Sequence, residues 1–473
     1  MNTKTLLIPA LCGFVFGLAA CGSDSPAEAE AGVNNPFGQT VPASSATITS
    51  SAMPNSSGTN PPPPAGVVKL GAGANPDVTG ALYNSWKAFH YVTMDAEAVY
   101  YSSIASDFRY VFEAQYQPAA RIKWSSAQST AYSLQCKVDD SAEPAMKFRG
   151  CTVSEGIGYG MLITAMQGDY PAFNSLWNYS RAFRAYFNNQ PLTPWLTFSF
   201  MFNQIDLGSA TDADLDIAAS LLIMYAKTGE AAYLNDALVI ANGIWNKEVD
   251  KNNYRLLSGD TQMWDGTQGP IVYNLSYFSP VALRLFAKYD SSHEWTKVLD
   301  AMYAYMAKIQ SLGTGVFPDW STEDSSIEPP NKAAGNEKTG YTYYTFNKES
   351  VRIPWRIAWD YYWYQDDRAL AVLQKLNAFI VDVAAGDPAS NKLSVNYSWN
   401  KALGEDYTRN TAVPAQWLSA WCATGIGTNA DWLNKCTDAV NAKTVSNTAS
   451  SYFPDILLVM YSQLLNGMYV RPF

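Results

Sequence analysis

The stretch Thr152-Val-Ser-Glu-Gly-Ile-Gly-Tyr-Gly-Met-Leu162 combines one carboxylate with three glycines and leads directly into an apolar run. Ser154 is placed to cap a helix that begins here, which puts Glu155 in the first turn. The glycines remove side chains beside Glu155, and we expect them to let a flat polymeric ligand approach closely. Where Tyr159 excludes water, the pKa of the carboxyl is raised, as a general acid requires. The alternative interpretation is structural, with a glutamate that complements the helix dipole and glycines that allow close helix packing.

Helical periodicity dominates the chain from about residue 75 onward, and strand-type alternation is scarce. We therefore predict an all-α domain of paired helices around a central core, although periodicity alone does not show closure into a ring. The predicted helices span residues 78–95, 155–168, 171–187, 212–228, 230–247, 280–289, 293–311, 350–364, 367–384, 411–423 and 452–466.

Composition narrows the class of protein. The chain has 473 residues, and no composition break follows residue 75, so we predict one large domain over 75–473. It contains 15 tryptophans and 30 tyrosines, more than packing needs, and exposed aromatic rings are surfaces on which sugars stack.

The net charge of -10 argues against nucleic acid or anionic lipid as a partner. The only two histidines, His90 and His293, are too few for a multi-histidine zinc site, so we assign acid–base chemistry to carboxylates and expect no metal.

The first 74 residues are predicted to be an export and tether segment. Lys4 precedes an apolar segment from Leu6 to Ala20, and the sequence Leu-Ala-Ala-Cys21 resembles a bacterial lipoprotein processing site. We predict a signal peptide over 1–20, lipidation of Cys21, and a flexible low-complexity linker over 21–74. The mature protein is then lipid-anchored to the outer membrane or cell surface, with no other membrane contact; the alternative is plain secretion after Ala-x-Ala-type cleavage.

The four remaining cysteines of the mature chain are predicted to form disulfides, because the protein is predicted to be exported. Sequence proximity favours Cys136 with Cys151 and Cys422 with Cys436. Two other pairings are possible. The first bridge would brace the loop that leads into Glu155.

A second acidic stretch, Ala210-Thr-Asp-Ala-Asp-Leu-Asp-Ile-Ala218, carries three aspartates at alternate positions. Asp212 and Asp216 share one helical face, and Asp214 points elsewhere. Three aspartates suggest calcium, but the glycine and glutamate of an EF-hand loop are missing at the required positions. Helix capping and dipole complementarity are the structural alternative.

Aromatic residues and one charged pair mark the other loops. Tyr277 lies just before Pro280 and is predicted at a loop rim, and Trp264 lies in the preceding polar loop. Glu349 precedes Arg352 by three residues, so both lie on one face if a helix has begun. A surface ion pair is the structural alternative for these two.

Taken together, these stretches resemble glycoside hydrolase family 8, whose members are inverting endo-acting cellulases, lichenases, xylanases and chitosanases. The motifs that carry the resemblance are the runs 154–162 and 210–218, Asn274-x-Ser-Tyr-Phe-x-Pro280, Pro318-Asp-Trp320 and the segment 457–473. The resemblance implies an (α/α)6 barrel. It also implies that Glu155 is the general acid, that Asp212 holds the sugar at the cleavage subsite, and that aromatic subsites are formed by Trp195, Trp264 and Tyr277.

The sequence departs from the family pattern at the position of the catalytic base. Most members carry Asp-Ala-x-Arg, whereas this chain has Glu349-Ser-Val-Arg352, so Glu349 is the candidate base and Arg352 the arginine that follows it. The activity implied is inverting endo-hydrolysis of a β-1,4-glycan by a monomer without a cofactor. Cellulose or mixed-linkage glucan is the first expected substrate, xylan the second and chitosan the third. The alternative from another class is a non-catalytic glycan-binding surface lipoprotein.

Overall fold

The computed structural model describes residues 68–104, 112–124, 136, 150–187, 190–206, 208–261, 271–322, 345–390, 392–399, 415–448 and 450–473. All of them belong to one compact unit, Pro63–Phe473. The predicted signal peptide, Cys21, most of the predicted linker and Trp264 lie outside the described residues. None of the helices in the described ranges combines the length and the apolar character that crossing a bilayer requires.

Helices make up most of the described structure. They are α1 (Pro76–His90), α2 (Met94–Ile104), α3 (Ser154–Gln167), α4 (Tyr170–Tyr186), α5 (Thr211–Thr228), α6 (Ala231–Lys247), α7 (Pro280–Tyr289), α8 (Trp295–Leu312), α9 (Ile353–Tyr364), α10 (Asp367–Ala384), α11 (Ala415–Ala423), α12 (Ala430–Asn441) and α13 (Tyr452–Leu465).

The helices form an (α/α)6 barrel, as the contacts between them show. An inner ring runs α3, α5, α7, α9, α11 and α13, and α13 packs back against α3 to close it. Each inner helix also packs against one outer helix: α4, α6, α8, α10, α12 and, for α13, α1. The inner helices are enclosed on all sides, and α3 accordingly buries every residue from Gly156 to Met166. The predicted all-α class and ring closure are confirmed.

Short antiparallel strands join the helices. They are β1 (Tyr91–Thr93), β2 (Ala120–Ile122), β3 (Thr152–Val153), β4 (Leu196–Phe198), β5 (Met201–Asp206), β6 (Val249–Asp250), β7 (Arg255–Leu256), β8 (Val272–Tyr273), β9 (Ser321–Thr322), β10 (Thr345–Phe346) and β11 (Tyr397–Ser398). The three-stranded sheet β3-β4-β5 pairs Thr152 with Thr197 and Val153 with Leu196. This pairing holds the chain that enters α3 beside the loop that carries Trp195.

Three helices differ from the predictions: α1 ends earlier than predicted, and α2 and α12 were not predicted. The predicted helix 78–95 ends at His90, because Tyr91–Thr93 pairs with β2 before α2 begins. Helix α12 was not predicted; its N-terminus is capped by the Asn429 side chain, which accepts a hydrogen bond from the Trp432 amide.

The folded part begins before residue 75. Within the segment 68–74, predicted as linker, the Ala72 amide donates to the Asn434 side chain at 2.7 Å, and the Gly73 carbonyl accepts from Asn441 at 3.0 Å. Both partners lie on α12, so its surface fixes the start of the folded unit.

The glycines of α3 serve helix packing, and the prediction that they open a surface for a ligand is wrong. A Cβ on Gly158 would lie 3.1 Å from the Ala213 carbonyl oxygen on α5, and one on Gly160 would lie 2.9 Å from Ile122. The predicted cap is also wrong: Val153 is the N-cap residue, without a side-chain hydrogen bond, and Ser154 is already helical. The glycines bring α3 and α5 close enough for their N-terminal carboxylates to share one partner.

Two disulfides are present and follow the proximity prediction. Cys136 bonds to Cys151, and Cys422 bonds to Cys436. Cys151 also exchanges two backbone hydrogen bonds with Trp124, at 2.8 and 2.9 Å. The first bridge therefore braces the chain immediately before β3 and α3.

Candidate active site

A cleft of about 410 Å3 lies where the N-terminal ends of α3, α5 and α13 meet the loop before α9. Its size is typical of a small-ligand or subsite pocket. Six of the predicted site residues line it: Glu155, Trp195, Asp212, Tyr277, Glu349 and Arg352. Residues from distant parts of the chain thus meet at one place, and Trp264 lies outside the described residues.

Arg352 is the centre of the cleft. One terminal nitrogen, Nη1, contacts Glu155 Oε2 and lies 3.3 Å from Asp212 Oδ2, while Nη2 contacts Glu349 Oε2. The Arg352 side chain is only 3% exposed, so these contacts form away from bulk water. A guanidinium has a rigid fork of donors, which lets one group hold several carboxylates in fixed directions.

Glu155 is the predicted acid and lies in the first turn of α3. Burial raises the pKa of its carboxyl, and the charge of Arg352 and a hydrogen bond from Tyr452 oppose this shift without cancelling it. The Tyr452 hydroxyl donates to Glu155 Oε1 at 2.8 Å. The raised pKa agrees with the sequence-based expectation, and burial is its main cause.

Asp212 lies in the first turn of α5 with its side chain 2% exposed. Burial raises the pKa of Asp212 to about 7; Arg352 opposes the shift and Glu155 adds to it. Its Oδ1 makes no hydrogen bond to any residue that the structure describes. Asp212 lines the cleft, and this buried oxygen has hydrogen-bonding capacity that no described residue uses.

Glu349 precedes a short 3₁₀ helix, Ser350–Arg352, that leads into α9. Its side chain is 29% exposed, more than that of Glu155 at 17%. Asn274 donates to Glu349 Oε2 at 2.9 Å and accepts from the Ser276 hydroxyl at 2.7 Å, and Ser276 in turn accepts from Arg352 Nε at 3.1 Å. The predicted Glu349–Arg352 pair therefore forms, as part of a cycle that orients the carboxylate.

A second ion pair lies one helical turn deeper. Arg356 donates to both oxygens of Asp216 at 2.7 and 2.9 Å, and both side chains are fully buried. Asp214 faces away and accepts from the Thr193 amide at 2.9 Å. Asp212, Asp214 and Asp216 thus have three different environments. The described residues contain no cluster of three or more His, Cys, Asp or Glu side chains suited to a metal ion.

Aromatic and basic side chains that the sequence did not single out complete the cleft. They are Trp124, Tyr452 and Phe453, with Lys348 at the exposed edge. Trp124 lies next to the cleft because its backbone pairs with Cys151, and Tyr452 because α13 closes the ring onto α3. Local sequence carries no sign of either placement, since both depend on contacts between distant segments.

The sequence profile described as "Glycosyl hydrolases family 8" matches residues 98–460. The chain belongs to glycosyl hydrolases family 8. This confirms the resemblance inferred from the motifs around Glu155 and Asp212.

Curated relatives include Endoglucanase 2 of Ruminiclostridium josui, which is 34% identical over 237 residues, covering 49% of this chain and 47% of the relative. The chain spans about half the length of the curated endoglucanases that it matches above 30% identity. The Beta-glucanase of Niallia circulans is 28% identical over 383 residues, covering 78% of this chain and 88% of that protein.

Among solved structures, the apo β-1,3-1,4-glucanase of Paenibacillus sp. X4 superposes with a TM-score of 0.63 at 21% identity, covering 85% of this chain and 95% of that chain. At this identity the likeness concerns the fold, and it agrees with the (α/α)6 ring seen in the helix contacts.

The deeper ion pair generates a stability prediction. Asp216→Asn removes the carboxylate that both terminal nitrogens of the buried Arg356 contact, so we expect the free energy of unfolding to fall by about 3–5 kcal/mol. Denaturant unfolding at neutral pH measures the change. The matched control is Asp300→Asn, because Asp300 pairs with Arg368 while 58% exposed, and such surface pairs contribute about 0–1 kcal/mol. An equal decrease in the free energy of unfolding for both variants would contradict the expectation that the buried pair contributes more than the exposed pair.

Proposed function

We propose that the protein is an endo-acting hydrolase of β-1,4-linked polysaccharide that inverts the anomeric centre. The observation that carries the proposal is the pair of carboxylates, Glu155 and Glu349, which face one cleft with Arg352 between them. The guanidinium keeps the two carboxylates out of direct contact. Inversion is proposed from the resemblance to family 8, and it requires room for a water between two carboxyl groups roughly 6.5–9.5 Å apart.

In this mechanism Glu155 protonates the glycosidic oxygen, and Glu349 removes a proton from the water that attacks the anomeric carbon. The different environments of the two carboxyls support the division of roles, since Glu155 is less exposed and has a raised pKa. Asp212 would hold a sugar hydroxyl with its free oxygen, and Trp195 and Tyr277 would stack on sugar rings. No step requires a cofactor or metal, and we propose that the protein acts as a monomer.

The substrate class that we propose is β-glucan, either cellulose or mixed-linkage glucan. Its support is that curated relatives of this chain are named as endoglucanases and a β-glucanase. Xylan is the runner-up, because family 8 includes xylanases and the cleft residues named above do not by themselves select for the C6 hydroxymethyl group.

We further propose that residues 1–20 act as a signal peptide and that lipid on Cys21 anchors the protein, with the segment that follows serving as a tether. The support is the apolar run followed by the Leu-Ala-Ala-Cys21 sequence. Such a tether would hold the barrel at the outer membrane or cell surface, within reach of insoluble polysaccharide.

The activity is tested by assaying reducing ends released from carboxymethylcellulose, lichenan, xylan and chitosan. We expect the highest rate on the two glucans, and Glu155→Gln to lower it by about 10²–10⁴-fold with folding and binding retained, since only the acid is lost. Glu294→Gln is the control, because Glu294 is exposed, pairs with Lys297 and Tyr254, and does not line the cleft. Wild-type activity in Glu155→Gln would refute the assignment of Glu155 as the general acid. Binding without any release of reducing ends would favour a glycan-binding protein instead.

The base is tested separately. Glu349→Ala should lower the rate by several orders of magnitude, about 10²–10⁴-fold. Added azide should restore part of the rate and yield an α-glycosyl azide, which is the inverted product of a β-glycan. Glu349→Asp should be partly active, because it restores the usual residue on a backbone arranged for a longer side chain. A rate near wild type for Glu349→Ala would place the base elsewhere, with Asp212 or a carboxylate of the 319–337 segment as the next candidates.

The anchor is tested by Cys21→Ser. Because that change removes the thiol to be acylated, we expect the protein to lose labelling by radioactive palmitate. Cys12→Ser is the control, since Cys12 lies within the predicted signal peptide. Palmitate labelling that survives Cys21→Ser would argue against lipidation at this cysteine.

A further inference from the structure

Both oxygens of Glu155 already have donors. Oε1 accepts from the Tyr452 hydroxyl at 2.8 Å, and Oε2 contacts Nη1 of Arg352. A general acid must nevertheless carry a proton on one of these oxygens before it can release it. Each carboxyl oxygen has two lone-pair sites, so either oxygen can carry the proton beside its donor, and the oxygen whose partner can also accept is favoured.

The two donors differ in what they can do. A guanidinium has five N–H donors, has no acceptor and does not lose its proton in proteins, so an O–H on Oε2 would find no acceptor in Arg352. A phenol hydroxyl donates or accepts, depending on its rotation. An O–H on Oε1 can therefore be accommodated by rotation of the Tyr452 hydroxyl, without movement of any heavy atom.

We propose that Glu155 Oε1 is the oxygen that carries the transferable proton, and that Tyr452 is its positioning partner, accepting from the acid and donating to the carboxylate. This rests on the proposed function of Glu155 as general acid. Sequence motifs give Tyr452 no such role, and its place depends on the closure of the helical ring.

Tyr452 is held in place from two sides. It is the first residue of α13, and its ring lies against α3 where Gly156 has no side chain: a Cβ there would be 3.1 Å from the phenol oxygen. Behind it, Asp455 accepts from the Ser451 hydroxyl at 2.6 Å and contacts His90 Nε2 at 2.9 Å. The start of α13 is thereby fixed, and the phenol, 4% exposed, keeps its position against Glu155.

The proton balance follows from this geometry. The proton on Glu155 Oε1 moves to the glycosidic oxygen as the bond from that oxygen to the anomeric carbon breaks, and the bond's electron pair stays on the leaving oxygen. Water bonds to the anomeric carbon and gives its proton to Glu349. The Tyr452 hydroxyl then turns to donate to the new Glu155 carboxylate, so its hydrogen bond is strongest when the proton has left.

A pH dependence of defined sign results. The charged and titratable groups around Glu155 are Arg352, Arg356, Asp212, Glu349, Tyr159, Tyr277 and Tyr452. Burial raises the pKa of Glu155, and the Tyr452 hydrogen bond lowers it. Removing that hydrogen bond destabilises the carboxylate, so the pKa of Glu155 rises further and the acid stays protonated to higher pH.

The test is Tyr452→Phe, which keeps the ring and removes the hydroxyl. We expect the alkaline limb of kcat/KM to move up by about one pH unit, and kcat at the optimum to fall by roughly 10-fold or more, with KM little changed. Tyr233→Phe is the matched control. Tyr233 is also buried, and the substitution removes its 2.7 Å hydrogen bond to Asn174 on the outer helix α4. We therefore expect neither the acidic nor the alkaline limb of the pH profile of kcat/KM to move.

A second measurement does not depend on catalysis. Titration of 13C-labelled glutamate carboxyls by NMR, with the Glu155 signal assigned through its loss in Glu155→Gln, should show the same upward shift in Tyr452→Phe. If the NMR shift appears in a protein that hydrolyses no polysaccharide, the hydrogen-bond assignment stands and the proposed function fails. A Tyr452→Phe variant that loses rate equally at every pH, with an unchanged Glu155 titration, would overturn the proposal.

Discussion

One buried guanidinium organises the cleft. Arg352 contacts carboxylates from α3, from α5 and from the segment that precedes it, and it is nearly inaccessible to water. Burial by itself lowers the pKa of an arginine, but the surrounding carboxylates raise the pKa of Arg352 above its usual range, so it remains charged. Because desolvating such a group is costly, the arrangement is stable only if every partner stays in place. The helices that supply those partners are therefore constrained to meet at one end of the barrel.

A second pair repeats the pattern at greater depth. Arg352 and Arg356 are separated by four residues, as are Asp212 and Asp216, and each arginine contacts the aspartate at its own level. Helices α5 and α9 are not neighbours in the inner ring, so these contacts extend across the barrel interior. Arg356 also donates to the Ser276 carbonyl at 2.6 Å, and Arg352 to the Ser276 hydroxyl at 3.1 Å. Ser276 thus links the two levels, and the carboxylates of the cleft are held by one connected network of hydrogen bonds.

The walls of the cleft depend on packing that is local in space and distant in sequence. Gly158 allows α3 to approach α5, while Gly156 leaves room for the Tyr452 ring from α13. Trp124 is positioned by backbone pairing with Cys151, which the disulfide to Cys136 braces. Small residues therefore set the spacing of the ring, and the aromatic side chains occupy the space that remains at its open end.

The sequence by itself determined the helical class, the family and most of the polar site, because each depends on short-range pattern. Periodicity marks a helix, and the runs around Glu155 and Asp212 hold their carboxylates at fixed spacing within single elements. Proximity in the chain likewise identified both disulfides. The roles of the glycines and of Ser154 were misjudged, because a sequence does not show what packs against a helix. Only the tertiary structure decided that Arg352 serves three carboxylates and that Tyr452 reaches Glu155, 297 residues away. Those contacts exist because the inner helices close into a ring, and ring closure is a property of how the elements pack together.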